Sequence, residues 1–510
     1  MRRSLTRLVR LPRRRAPTEA RSLSLAERVA VNAAAQLASQ FALALGGLLA
    51  VAVTTRYLDV RQYGALVTAL IFVSLFALLA DFGMTTIGGR EVAKSPQDAD
   101  KILSSLGLMA ALISLLALGA AIVISQIAYA GAQGAEVRKA ILVLLPQLLV
   151  VGPRSLALAY LVSRQKIYLS SFAGVTTRVV TLGFVIAVAK ADLGFVAMVA
   201  AYAAFPILGA VLVVALARTG LPRLRSWNRS LAMKLLKLSL PLGGVVIANY
   251  LYFRLDLFLL SILATQTDVA LYGIAYKVIE VLTLVPGYLM VTLLPAMAVV
   301  EASSDRLNRL VQNAFSAMQS IAVPLIALSF YSTQILRLIA GEQYAAAHTA
   351  LQLLMIGMAL SFLQQVFGYT LVSQNRQGRA LIALLAVLVV NLALNLVLIP
   401  LYKINGAAVA LVISEALSLG AVAGVYSRIG ALPSVHEPGK ILLAGVVMLA
   451  LVLGTRNAFG ALFDSPVATL LAGGTLSFAG YVLALRQLHA IPPAASSAFG
   501  NLIRRRSRDA

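Results

Sequence analysis

The chain has 510 residues, of which 60% are hydrophobic and only 12% charged, whereas about a quarter of the residues of a soluble domain are charged; a soluble domain is therefore excluded. Its formal net charge of +24 raises nucleic acid as a partner, and the lack of cysteine removes disulfides, thiol catalysis and cysteine-based metal sites. Apolar runs of about 20 residues, separated by short polar loops, suit helices crossing a hydrocarbon core about 30 Å thick, and the period-two pattern of a membrane barrel is missing.

Residues 1–29 form a basic tail containing Arg2, Arg3, Arg7, Arg10, Arg13, Arg14, Arg15, Arg21 and Arg28. Ala50-Val51-Ala52 resembles a signal-peptide cleavage site, but the apolar run 30–53 is too long for an h-region and is predicted as a retained first span. Spans two to six fall near 62–87, 102–127, 140–162, 168–189 and 194–217, bounded by charge or by Gly, Pro and Asn. The basic stretch 218–239 reads as a linker, partly an amphipathic helix lying on the membrane face and partly a hinge. Spans seven to twelve follow near 240–262, 270–297, 311–331, 347–372, 380–400 and 404–427. Spans thirteen and fourteen, near 440–455 and 466–486 within the segment 428–486, precede a basic tail, 487–510, containing RRRSR. Lys and Arg are about fourfold more abundant in one alternate set of loops than in the other, which places both termini in the cytoplasm and requires an even number of spans. That asymmetry accounts for the net charge as topology and attraction to anionic membrane lipids, with no nucleic acid needed.

The sequence repeats. Asp59-Val60-Arg61-Gln62-Tyr63-Gly64 and Asp268-Val269-Ala270-Leu271-Tyr272-Gly273 share DVxxYG at an offset of 209, and each joins the first and second spans of a six-span block. Leu208-Gly209-Ala210-Val211 matches Leu419-Gly420-Ala421-Val422 at an offset of 211. Both blocks start from the same side, so the repeat is parallel, with its pseudo-twofold axis along the membrane normal and a site between the lobes. The expected fold is therefore an all-α membrane protein of about 14 spans: lobes at 30–217 and 240–427 plus a C-terminal helix pair.

The turn RYLDVRQYGAL, its partner TDVALYGIAYKVIE and the six-plus-six layout resemble the polysaccharide-transport family of bacterial flippases over about residues 30–427. The sister families are multidrug and toxin extrusion (MATE) transporters and lipid II flippases. The resemblance implies a V-shaped, MATE-like pair of lobes that open alternately. It implies an undecaprenyl-pyrophosphate-linked oligosaccharide as substrate, carried across the bacterial cytoplasmic membrane for O-antigen, capsule or exopolysaccharide synthesis, with a polysaccharide polymerase and chain-length proteins as partners. A lipid II flippase and a multidrug or cation antiporter are the alternatives within the superfamily.

Four charges interrupt spans seven and eight: Arg254, Asp256, Lys277 and Glu280. Subtracting 209 lands on Leu45, Gly47, Thr68 and Ile71, so only the second lobe carries charge there, which favours function over a folding need common to both copies. Arg254 and Lys277 fall at one depth, about 10–12 Å from the same side at 1.5 Å per residue. Two readings stay open. In one, Lys277 and Glu280 pair along their helix, Arg254 snorkels outward and Asp256 bonds a neighbour. In the other, Arg254 and Lys277, with Asn249 nearby, face a cavity and hold the lipid pyrophosphate, a task for which the guanidinium fork is suited. Arg154 and Arg178 form either a second cationic level of a ladder or a set of hydrogen bonds within one lobe. Glu280, Asp256 and Glu415 are the acidic candidates for ion coupling or for tuning the cations. Asp81 reads as interfacial. With no Walker loop or HExxH, and with His348, His436 and His489 lacking metal spacing, no catalytic residue, cofactor or metal is expected.

Overall fold

The computed structural model describes residues 25–131, 134–221, 228–434, 436–463 and 465–490. Most of the two basic tails and the centre of the linker, residues 222–227, lie outside them. Among the described residues every regular element is helical. The first lobe runs through α1 (Leu25–Tyr57), α2 (Val60–Asp81), α3 (Met84–Lys94), α4 (Ala99–Ala128), α5 (Ala135–Leu144), α6 (Pro146–Leu149), α7 (Val151–Ser163), α8 (Ile167–Lys190) and α9 (Gly194–Ala217). The second comprises α10 (Arg229–Leu263), α11 (Gln266–Leu282), α12 (Leu284–Ala298), α13 (Asp305–Leu328), α14 (Ser332–Ala340), α15 (His348–Ser373) and α16 (Gln377–Tyr426). A pair, α17 (His436–Leu462) and α18 (Pro466–Gln487), completes the chain and packs on α13 and α14.

Twelve of these helical stretches are long and apolar enough to cross a membrane, thirteen if the stretch 135–163, bent by 41°, is one span. The 50 residues of α16 would be about 75 Å long if straight, more than twice the hydrocarbon core. They reverse at Lys403 (φ 50°, ψ −127°), because Asn391 Nδ2 donates to Ser414 Oγ at 2.9 Å, a contact between residues 23 apart in sequence. Gly406 sits where the two arms cross; a Cβ there would lie 2.1 Å from the Leu398 carbonyl oxygen. Counted as two spans, this hairpin brings the total to about the fourteen expected.

Several boundaries differ from the sequence expectation, each for a local reason. The second span ends at Asp81 rather than near 87, because Phe82 and Gly83 are both left-handed (φ 42° and 76°) and turn the chain into the separate helix α3. Prolines divide the fourth span at Pro146, and the eighth breaks at Thr283, three residues before Pro286. The seventh span begins at Arg229, not 240: the Asn228 side chain accepts from Leu231 N at 3.0 Å and caps a helix that runs through Pro241. The second half of the predicted linker is thus the first turns of α10.

The DVxxYG repeat shows how the lobes meet. Asp59 caps α2, accepting from Gln62 N at 2.8 Å. Its counterpart Asp268 instead occupies the third position of α11 in a capping box with Thr265, so the second copy starts its helix earlier. The glycines bring α2 against α11. A Cβ on Gly64 would lie 1.8 Å from the Gln266 carbonyl oxygen, and one on Gly273 would lie 3.2 Å from Val67 Cγ1. Thr68 Oγ1 donates to Gln266 Oε1 at 2.8 Å across the same seam.

Candidate functional site

Between the two lobes, walled by α1, α2, α8, α9, α10 and α11, lies a cavity of about 200 Å³. Its charged lining comes from both lobes: Arg178 from α8, and Arg254, Lys277 and Glu280 from α10 and α11. Apolar side chains such as Val51, Leu66 and Leu257 make up much of the rest, so these charges face one another in a low-dielectric setting.

Helical spacing and one turn build the second-lobe cluster. Lys277 and Glu280 lie three residues apart on α11, and the turn at Ala264–Thr265 brings Arg254 of α10 to the same level. Glu280 Oε2 accepts from Lys277 Nζ at 3.0 Å and lies 3.3 Å from an Arg254 Nη, so one carboxylate oxygen serves two cations. The Arg254 guanidinium also lies over the Tyr276 ring, 5.1 Å from its centroid. All three side chains are partly buried, with 27%, 28% and 39% of Arg254, Lys277 and Glu280 exposed, the carboxylate most of all. Arg254 and Lys277 meet at one Glu280 oxygen and so share one level, and the i, i+3 pair is formed; Arg254 turns inward to Glu280 rather than snorkelling.

From the first lobe, Arg178 reaches the cavity over Gly46, where a Cβ would come within 2.6 Å of its Cγ. Its guanidinium lies 4.0 Å from the centroid of Phe205, close enough for a cation–π contact, and its Nε is buried without a hydrogen-bond partner. Three cations and one carboxylate therefore line the cavity, leaving two net positive charges. Tyr63, Ser74, Tyr202 and Tyr250 add hydroxyls to the wall, and the sequence reading did not single them out. Tyr63 belongs to the repeat motif itself, which was the one available signal; tyrosines elsewhere in apolar helices look like ordinary packing.

The other candidates lie elsewhere. Asp256 is buried and held by Tyr272 Oη (2.5 Å) and Leu257 N (2.8 Å), so it bonds its neighbours and does not line the cavity. Arg154 faces a separate pocket inside the first lobe. Asn249 and Glu415 line a third pocket, of about 530 Å³, inside the second lobe, where Tyr252 Oη donates to Glu415 Oε1 at 2.9 Å. The four-residue ladder is thus divided: Arg178 joins Arg254 and Lys277, and Arg154 does not. Asp81, expected at an interface, accepts from Thr85 (2.6 Å) and Ser155 (2.5 Å).

The lobes touch at both ends of the cavity. At the α1–α2 end, Arg56 donates to the Leu338 and Ile339 carbonyls at 2.7 and 2.8 Å, Gln343 donates to the Thr55 carbonyl at 2.8 Å, and Tyr63 meets Tyr344 edge-on. At the opposite end, the left-handed Phe82–Gly83 turn packs against Gly243, where a Cβ would lie 2.8 Å from the Phe82 ring. A volume of 200 Å³ is below the range of about 300–1,000 Å³ usual for sites that take a drug-sized molecule. It has room for a small anionic group, not for an oligosaccharide.

Comparison with known proteins supplies relatives. A family model described as "Polysaccharide biosynthesis protein" matches residues 53–349. A probable low-salt glycan biosynthesis flippase, Agl15, from Haloferax volcanii is 23% identical over 218 residues; the match spans 42% of this chain and 46% of that protein, less than half the length of either. Among solved structures, a lipid II flippase, MurJ, in an inward closed conformation superposes with a TM-score of 0.73 at 14% identity, covering 90% of this chain and 99% of that one. An inward-facing multidrug resistance MATE family transporter of the MOP superfamily superposes at 0.58 and 14% identity, covering 79% and 97%. At these identities the two structures speak to the fold alone.

Proposed function

The chain belongs to the polysaccharide biosynthesis protein family, and from that premise we propose that it is a flippase for an undecaprenyl-pyrophosphate-linked oligosaccharide, working by alternating access in the bacterial cytoplasmic membrane. It is a multi-pass membrane transporter and not an enzyme. One observation carries the substrate assignment: Arg178 of one lobe joins Arg254 and Lys277 of the other around a single cavity whose net charge of two is opposite to that of a diphosphate diester. Guanidinium groups bind phosphate oxygens in two places at once, and low dielectric strengthens each contact. The sugar, too large for the cavity as it stands, requires one set of end contacts to part. The Arg56 and Gln343 bonds, or the Phe82–Gly243 seam, are the contacts that would break on opening toward either side.

Lipid II is also a diphosphate-linked lipid, so the cavity chemistry admits it. A cation antiporter fits less well, because basic groups outnumber acids in the cavity. For ion coupling, Glu415 is the better-placed carboxylate: Glu280 is tied to two cations and Asp256 is buried away from the cavity against Tyr272, whereas Glu415, which also accepts from a tyrosine, Tyr252, lines a pocket with Asn249, Ser361 and Gln364. Depletion of the protein in its host, followed by extraction of polyprenyl-diphosphate glycans, tests the assignment. A surface-polysaccharide precursor is expected to accumulate on the inner leaflet while lipid II stays constant. Accumulation of lipid II instead, or of neither, contradicts it.

A further inference from the structure

We propose that the first lobe holds a second anion site, separate from the central cavity, which binds a phosphate ester. The site is a pocket of about 260 Å³ lined by α1, α7, α8 and α9, with Gln40, Arg154, Ser170, Ser171 and Thr177 in its wall. No carboxylate lines it. Among the described residues, the Arg154 guanidinium has no hydrogen bond or ion pair, although it sits within a membrane-spanning lobe where a lone cation is unfavourable. Asp81 is the carboxylate whose field reaches it, and that carboxylate already accepts from Thr85 and Ser155. Arg154 nevertheless stays exposed, so its fork is accessible from the pocket.

The remaining donors have the same character. Ser170 and Thr177 direct their hydroxyls to backbone carbonyls one turn back, but the Gln40 amide and the Ser171 hydroxyl make no hydrogen bond among the described residues. A guanidinium, an amide and a hydroxyl lining one pocket without an acid form a donor set for an oxyanion, and the planar fork favours phosphate.

The repeat supplies an independent comparison. Adding 209 to Gln40 gives Asn249, and adding 210 to Arg154, which lies between the stretches offset by 209 and 211, gives Gln364. Both counterparts line the matching pocket of the second lobe, which carries Glu415 and no basic residue. The two lobes thus hold equivalent pockets of opposite sign, as a polar packing device shared by both copies would not. Phe205 also walls the first-lobe pocket while its ring carries Arg178 of the central cavity, so the two anion sites share one partition.

The test uses the purified full chain in detergent, with dihexanoyl phosphatidic acid, inorganic phosphate and farnesyl diphosphate as probes. Arg154→Gln is expected to weaken phosphatidic acid binding about tenfold or more and to leave farnesyl diphosphate binding unchanged. Arg254→Gln with Lys277→Gln is expected to do the reverse, so failure of this site and failure of the central assignment are read separately. Inorganic phosphate binding as well as phosphatidic acid assigns the site to free phosphate, and weaker binding assigns it to a lipid headgroup; either result upholds it. Should Arg154→Gln not fold, Arg154→Lys and Ser171→Ala are each expected to weaken phosphatidic acid binding measurably. Phosphatidic acid binding that is insensitive to all changes at Arg154 and Ser171, or that is lost with the central pair, overturns the proposal.

Discussion

Replacing Arg254 and Lys277 together by glutamine lowers export of the lipid-linked glycan about a hundredfold when export is normalised to protein level. Removing both cations loses two charge-assisted contacts to a diphosphate, each worth about 1.5–3 kcal/mol before solvent screening of this partly exposed cluster, and about 1.4 kcal/mol is tenfold in binding. The double change removes both cations that converge on Glu280 and takes the cavity from two net positive charges to none. It also strands Glu280 without a partner, which by itself destabilises the protein. The triple variant that adds Glu280→Gln removes that penalty: protein level recovers and export does not. Glu280→Gln alone acts the other way, raising the cavity charge, so it tightens diphosphate binding and slows release. Surface polysaccharide and inner-leaflet lipid-linked glycan, each normalised to protein level, are the measurements. Normal export by the double variant would sink the role assigned to these two residues.

Gly64→Ala opens the seam between α2 and α11. The added Cβ would sit 1.8 Å from the Gln266 carbonyl oxygen, a backbone atom that cannot yield unless α11 moves. Overpacking of this kind costs about 1–3 kcal/mol or more, enough to depopulate a closed end held by the Thr68–Gln266 hydrogen bond. Gly273→Ala, at the repeat-related position, meets only Val67 Cγ1 at 3.2 Å, a side chain able to rotate away, and its effect is several-fold smaller. Because the chain has no cysteine of its own, Thr68→Cys with Gln266→Cys can be joined by a short bifunctional thiol reagent. Cross-linking is expected to be efficient in the otherwise unaltered chain, weak with Gly64→Ala and nearly normal with Gly273→Ala. Equal yields in all three would show that Gly64 does not hold this end closed.

Much of the fold was legible because membrane helices are specified by apolar length, and polar turns such as the one at Lys403 stand out against that background. The repeat was legible for a related reason: DVxxYG joins an aspartate that caps a helix start in both copies to a glycine at the α2–α11 crossing, where the first copy, Gly64, has no room for a side chain. Helix interruptions were less legible. Phe82–Gly83 breaks a run that is apolar on either side, and nothing in hydropathy marks a left-handed pair. Residue depth could be counted along each span, so the level shared by Arg254 and Lys277 was available; the direction a side chain faces was not. Arg154 and Arg178 lie at similar distances along neighbouring spans, yet one faces a pocket within its lobe and the other the central cavity, with Phe205 between them. Asp256, two residues from Arg254, points away to Tyr272 for the same reason: adjacent positions on a helix differ by about 100°.

The central claim is that one cavity draws its diphosphate-binding cations from both lobes, and equilibrium binding of a short prenyl diphosphate to the purified chain tests it most directly. Arg178→Gln in the first lobe and Arg254→Gln in the second are each predicted to weaken binding about tenfold, and the corresponding prenyl alcohol is predicted not to compete. Binding unchanged by either substitution, or matched by the uncharged alcohol, would contradict the account.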